Sequence, residues 1–357
     1  MAANPGGRID ALDGWRTISI ALVIFSHLTL SSNIHISDSG QIARLVYVPV
    51  LDELGFLGVK IFFVISGFVI CRALLQERAK LGRISLLGFY IRRFFRIVPP
   101  LLLYVTSIYC LLLIGVIGGD TNSIARALTF TCNFPRADCG GYLGAHTWSL
   151  SVEEQFYLVI PVLLSVIGAR GPRLSLVIVA VLSIAIISLP ILGYSVAAKV
   201  ISEFLPISVG VSCAMHEEWI NRRMNEIPAW CQFCAPIALV IVLRLTDTRF
   251  WQVATTIQAF AIATILMLSI FRASYLQRML SSAPLSAMGR VSYSIYLWQQ
   301  LATYSFEGAG GAFYFLSVGG CIALAFALYY VFEAPLIRLG KTLSNSRVIL
   351  ESASPRL

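Results

Sequence analysis

Apolar runs of about 20 residues recur from one end of this chain to the other, and they limit its fold more than any single motif does. A helix of about 20 residues crosses roughly 30 Å of hydrocarbon, and a backbone in lipid must satisfy its own hydrogen bonds. Such runs fall at 15–33, 54–75, 94–117, 151–168, 174–194, 199–215, 229–246, 251–271, 290–306 and 312–334. With 57% hydrophobic and only 13% charged residues, a soluble single-domain protein is excluded. The expected fold is all-α, a polytopic membrane protein with about ten transmembrane helices.

The basic residues orient it. An even number of spans puts both termini on one side, and all but seven of the 27 Lys and Arg residues then lie on that side. The exceptions are Arg44, Lys60, Arg126, Arg136, Lys199, Arg244 and Arg249. The positive-inside rule therefore predicts cytoplasmic N- and C-termini. The formal charge of +9 reports topology, because the basic residues are scattered over short loops at membrane depth; a nucleic-acid partner is not expected. The N-terminus lacks the pattern of a removable signal peptide. No repeat or Pro/Ser-rich linker divides the chain, so residues 1–341 read as one transmembrane domain and 342–357 as a short polar cytoplasmic tail.

Cys71, Cys110, Cys213 and Cys321 sit in apolar runs, where cysteine acts as a small hydrophobe. Cys132 and Cys139 flank a short segment of a loop placed outside the cytoplasm, where disulfides persist, and are expected to pair. Cys231-Gln-Phe-Cys234 has metal-site spacing but no second ligand pair accompanies it, so it reads as packing. No metal site is expected.

Polar residues at membrane depth need a reason. Arg16 and His27 share the first run, eleven residues or about 16 Å of helical rise apart, which leads from a boundary arginine to a histidine inside the membrane. An imidazole there suits proton abstraction from a hydroxyl; a histidine satisfied by a neighbouring helix is the structural alternative. In His146-Thr-Trp148-Ser-Leu-Ser151-Val-Glu153-Glu154-Gln-Phe-Tyr157, Ser151 and Glu154 have capping-box spacing. That spacing occupies Glu154 and leaves Glu153, beside a positive helix end, to orient a histidine or substrate hydroxyl. Arg92, Arg93 and Arg96 gather three guanidinium groups at the cytoplasmic end of the third run, which suits phosphates or lipid headgroups. Ser66 and Gly67 read as close helix contact. Glu333, before Pro335, is expected to pair with Arg338 or another basic residue.

In order along the chain, Leu12-Asp13-Gly14-Trp15-Arg16 with His27, Phe62 to Phe68, Phe89 to Pro99, Trp148 to Tyr157, Gly289 to Trp298 and Phe332-Glu333-Ala334-Pro335 resemble the acyltransferase-3 family of integral-membrane acyltransferases. The resemblance spans nearly the whole chain. It implies a ten-helix enzyme that takes an acyl group, usually acetyl, from cytoplasmic acyl-CoA and delivers it to a hydroxyl of an extracytoplasmic glycan or lipid-linked saccharide. It implies a place in the bacterial cytoplasmic membrane, among lipids, with acetyl-CoA as donor substrate and no permanently bound cofactor. The family's arginine and histidine match Arg16 and His27, its paired arginines match Arg93 and Arg96, and its acidic residue matches Glu153. The sequence departs from the pattern after Trp298, where many members carry histidine and Gln299 stands here.

The expected catalytic residues are therefore His27, Glu153 and Asp13, with Glu153 or Asp13 orienting His27. Arg16, Arg92, Arg93 and Arg96 are the expected acyl-CoA contacts. His146, Trp148, Trp298 and Gln299 are the expected acceptor contacts. Direct transfer and an acyl-enzyme route stay open, as does oligomeric state. A transporter or flippase for a glycan or lipid is the reading from another class, because intramembrane His and Glu residues also mark transport pathways. Consumption of acyl-CoA separates the two.

Overall fold

The protein is described from a computed structural model, over residues 9–31, 41–118, 124–134, 139, 141–228, 251–304 and 311–353. Those residues are helices and their connections, with no strand among them. The elements are α1 (Asp10–Ser31), α2 (Gln41–Leu81), α3 (Leu86–Leu113), a 3₁₀ turn (Ala125–Thr129), α4 (Gly141–Ala145), α5 (Thr147–Ile167), α6 (Gly171–Ile191), α7 (Ser195–Met215), α8 (Glu217–Glu226), α9 (Trp251–Phe271), α10 (Tyr275–Leu280), α11 (Ala283–Ala302), α12 (Gly311–Leu328) and α13 (Ala334–Ala353).

Seven stretches among the described residues are long and apolar enough to cross a membrane: Glu53–Leu81, Leu86–Leu113, Gly141–Ile167, Gly171–Ile191, Ser195–Met215, Trp251–Phe271 and Phe313–Ser346. Two further expected spans are helical but fall outside this set. The first, α1, carries Arg16 and His27, and α11 carries Arg290, Gln299 and Gln300. The expected span at 229–246, with Cys231 and Cys234, lies outside the described residues. Large apolar side chains stand out on the lipid-spanning helices, such as Ile191 at 81% and Leu316 at 77% exposed. Such surfaces suit lipid rather than water.

The chain divides into two compact units, residues 1–73 with 168–292 and residues 74–167 with 293–357. In the first unit, α6 turns into α7 through Gly193, whose φ of 86° follows the end of α6. The Gly193 and Tyr194 amides then donate back to the Pro190 and Leu189 carbonyls, a helix stop that needs a left-handed residue. Helices α2 and α7 touch backbone to backbone. A Cβ at Gly67 would overlap the Ile207 carbonyl, and one at Gly210 the Val64 carbonyl. This is the small-residue contact expected at Ser66-Gly67. Helix α1 packs on α2 at Gly55 and Gly58, which face Ser26 and Ser19. The N-terminal turns of α1 are held by Gly14 against Leu280, by Gly289 against Asp13, and by Thr17 Oγ1, which donates to the Leu285 carbonyl at 2.6 Å.

In the second unit, α3 opens on Ser85, whose hydroxyl accepts from the Gly88 amide, while Glu77 accepts from the Ser85 amide at 2.8 Å. Both contacts satisfy groups that a helix start leaves orphaned. Pro99 and Pro100 remove two N–H donors inside α3, and the Tyr293 hydroxyl donates to the Ile97 carbonyl beside that gap at 2.9 Å. Helix α13 lies along α3, with Gly340 against Phe95 and Ser344 accepting from Arg92. The polar tail expected from residue 342 is thus helical through Ala353, because Ser344 is buried and bonded rather than solvated. Between α12 and α13 the helix widens into a π turn, Tyr329–Glu333, and buries Glu333. Such turns recur at functional sites.

Candidate active site

Each unit supplies one of the two histidines of interest. In the first, α1 is one unbroken helix, with His27 half-buried one turn before its end. Asp13 is 1% exposed, and its Oδ1 accepts from Arg16 Nη1 at 3.0 Å. A buried carboxylate needs such a partner. On one continuous helix Asp13 lies fourteen residues, about 21 Å of rise, from His27. The expectation that Asp13 orients His27 is corrected on that ground; Asp13 holds Arg16. Trp15 Nε1 donates to Ser269 Oγ at 2.7 Å and ties this end of α1 to α9.

In the second unit His146 occupies the turn between α4 and α5 and is 4% exposed. Its ring meets Tyr104 edge-on at 5.5 Å and Tyr296 at 5.2 Å between centroids. Its carbonyl accepts from the Tyr296 hydroxyl at 2.5 Å, and that hydroxyl also bonds Ser149 Oγ at 2.6 Å. Trp298 stands edge-on to Tyr104 at 5.5 Å, and the Tyr104 hydroxyl donates to the Leu143 carbonyl. His146 and Trp298, both expected acceptor contacts, therefore share one aromatic wall. Trp148 is half-buried in the first turn of α5. Gln299 is fully buried, and its Nε2 donates to Gln300 Oε1 at 2.8 Å, while Gln300 donates on to the Tyr142 carbonyl.

The capping box expected at Ser151 and Glu154 does not form. Helix α5 begins at Thr147, so Ser151 lies inside it and its hydroxyl donates to the Thr147 carbonyl at 3.0 Å. Glu153 consequently sits in the second turn rather than beside the helix end, and it accepts from the Tyr157 hydroxyl. Glu154 faces Glu153 and the Arg93 guanidinium, and its Oε1 is enclosed without a hydrogen bond.

The three arginines separate. Arg92 pairs with Glu77 at 2.7 Å and donates to Ser344 at 2.5 Å. Arg93 lies over the Tyr157 ring, 4.4 Å from its centroid. Arg96 is in electrostatic reach of Glu333 and of Tyr293. Glu333 is buried at the end of the π turn and in electrostatic reach of Arg96, which is the other basic residue that the sequence left open beside Arg338. A disulfide joins Cys132 and Cys139, and the Cys132 amide donates to Ser151 at 3.2 Å, which fixes this loop to α5.

The family model described as an acyltransferase domain matches residues 9–333. The chain belongs to the acyltransferase-3 family. Among curated relatives, the peptidoglycan O-acetyltransferase OatA of Listeria monocytogenes is 28% identical over 321 residues, covering 81% of this chain and 48% of that protein. The O-acetyltransferase OatA of Staphylococcus aureus is 26% identical over 273 residues, covering 68% of this chain and 45% of that protein. The chain spans about half the length of these relatives. No solved structure matches it. As a member of this family with seven spanning-capable helices among the described residues, and with bacterial relatives, it is an integral bacterial membrane protein.

Several residues of this site were not singled out in the sequence. Tyr296 and Tyr293 lie inside the Gly289 to Trp298 stretch that carries the resemblance, so a signal existed. Tyr104 has none, since a tyrosine in an apolar run reads as core until its neighbours are known. Lys60, within the expected span 54–75, was counted only among the basic residues of the side opposite the termini. It is 8% exposed within α2, and its ammonium donates to Gln258 Oε1 at 2.7 Å.

Proposed function

We propose that the chain is a membrane O-acyltransferase that takes an acetyl group from acyl-CoA at the cytoplasmic face and transfers it to a hydroxyl of a glycan or lipid-linked saccharide on the other side. The observation that carries this reading is the family match across residues 9–333, joined to relatives whose names are peptidoglycan O-acetyltransferase and O-acetyltransferase. Ten spans with both termini cytoplasmic fit it, with residues 1–341 as the transmembrane domain. A membrane-embedded reaction between a cytoplasmic donor and an outer acceptor also gives intramembrane His and Glu residues a purpose.

In this reading His27 is the general base. Its imidazole takes the proton of the acceptor hydroxyl as that oxygen attacks the thioester carbonyl; the C–S bond then breaks, and the thiolate leaves as CoA thiol with the proton from His27. Glu153, held by Tyr157, supplies negative charge for orienting a hydroxyl or an imidazolium. Arg16, Arg92, Arg93 and Arg96 supply positive charge for the CoA phosphates. A phosphate at Arg92 exchanges with Glu77. His146, Trp148, Trp298 and Gln299 line the acceptor side.

The test is acetyl-CoA-dependent thiol release by the purified protein in liposomes, with and without a cell-envelope glycan extract. Glycan-dependent release with label recovered on the glycan supports transfer. A protein that moves label-free glycan across the liposome without releasing thiol is a transporter, and the proposal fails.

A further inference from the structure

The first unit holds a second buried polar cluster that the catalytic assignment does not use. Lys60 on α2, Glu203 on α7 and Gln258 on α9 meet in the apolar interior. The Gly67–Gly210 contact sets their register, because Lys60 precedes Gly67 by seven residues and Glu203 precedes Gly210 by seven. Seven residues are close to two helical turns, so both side chains fall on the contacting faces at one depth. Glu53, seven residues before Lys60, continues the same face of α2 towards its N-terminal end and is in electrostatic reach of the ammonium.

The hydrogen bonds of this cluster do not close on themselves. Lys60 donates to Gln258 Oε1, yet no ion pair joins it to Glu203 among the described residues. Glu203 Oε2 and Gln258 Nε2 are both enclosed and make no hydrogen bond within the protein. A network built only to lock three helices together is favoured when every member is satisfied. This one presents an acceptor on Glu203, an N–H donor on Gln258 and spare N–H donors on Lys60, with charges that cancel. An anion is ill-suited to it, because the Glu203 carboxylate repels one. A hydroxyl group donates and accepts at once, and vicinal hydroxyls of a sugar match the whole set.

The place fits as well. Ser26 lies against Gly55, so His27 sits about five residues along α2 from Lys60, roughly 8 Å of rise towards the same end as Glu53. We infer that Lys60, Glu203 and Gln258 form a hydroxyl-binding subsite that holds one sugar of the acceptor while a neighbouring hydroxyl reaches His27, a reading that rests on the glycan transfer proposed above. The substrate class is an uncharged sugar unit of a longer glycan.

The probe is an N-acetylglucosamine tetrasaccharide. Saturation-transfer NMR reads its binding to the detergent-purified full chain, and thiol release in liposomes reads its KM beside that of acetyl-CoA. Glu203→Gln and Gln258→Leu are expected to weaken the NMR signal and raise the tetrasaccharide KM about tenfold, the loss of one buried hydrogen bond to a ligand. The acetyl-CoA KM is expected to stay within about twofold. Thermal unfolding of each variant confirms the fold, and Lys60→Met serves if one variant does not fold. Unchanged tetrasaccharide binding and KM in folded variants overturns the subsite, as does absence of saturation transfer to the wild type. Saturation transfer lost in Glu203→Gln, with no thiol release by the wild type, keeps the subsite and breaks the proposed reaction instead.

Discussion

The two units surround their buried polar groups differently. In the second unit His146 stands among aromatic rings, with Tyr296 bonding both Ser149 and the His146 carbonyl, while Glu154 Oε1 is left enclosed without a hydrogen bond. In the first unit the helices meet through glycines, and the cluster at Lys60 leaves Glu203 Oε2 and Gln258 Nε2 open. The aromatic wall fixes geometry around His146, whereas the Lys60 cluster brings donors and an acceptor from three helices to one place. The histidines differ in the same way. His146 is walled in by Tyr104 and Tyr296, whereas His27 is half-buried near the end of α1.

The largest expected effect tests that contrast directly. His27→Ala should lower thiol release about 10²- to 10⁴-fold, the usual loss of a positioned base, with little change in the acetyl-CoA KM. His146→Ala should act mainly through stability and acceptor KM. Full turnover in folded His27→Ala, with turnover lost in His146→Ala, would move the base to the second unit and reverse the comparison.

Next in size is the electrostatic attraction between Arg96 and Glu333. Glu333 is 3% exposed in the π turn and in electrostatic reach of Arg96, so Arg96→Met removes a cation that offsets its burial. The loss should be about 2–3 kcal/mol at an effective dielectric constant of about 20. Thermal or denaturant unfolding should show that loss, and Arg96→Met combined with Glu333→Gln should recover most of it. If the double variant is no more stable than the single one, that attraction is not what holds Glu333 in place.

Much of the fold was legible in the sequence, for physical reasons that differ by residue. Apolar runs set the helices, since lipid allows a continuous apolar segment few other forms, and small residues marked the α2 contact at Gly67. Lys60, inside the expected span 54–75, was counted only by the side of the membrane it lies towards, because a lysine near a span boundary looks the same whether it faces water or a partner helix. Ser151 and Glu154 matched a capping pattern, but that pattern cannot tell the first turn from the second, and α5 had already begun at Thr147. Asp13 and His27 were grouped through Arg16 although the helical rise already separated them; one unbroken helix from Asp10 to Ser31 holds them apart. The wall of Tyr104, His146, Tyr296 and Trp298 joins three distant parts of the chain, and no local signal encodes such a meeting.

The smallest effects sharpen the comparison most finely, because the same kind of hydrogen bond can be removed from each unit. Tyr296→Phe deletes a hydroxyl that makes short contacts with the His146 carbonyl and Ser149 together, leaving between those two only the long bonds from the Ser149 hydroxyl and amide to the carbonyl at 3.4 Å. It should cost about 2 kcal/mol. Trp15→Phe deletes the donor to Ser269, but Ser269 keeps its own donation to the Leu266 carbonyl at 2.7 Å. Only an acceptor is left unanswered, so the lost hydrogen bond should cost about 1 kcal/mol. Unfolding midpoints of the two variants give the order. If Trp15→Phe proved the costlier, the hold of α1 on α9 would depend on that single hydrogen bond more than the His146 wall depends on Tyr296, and the comparison of the two units would reverse.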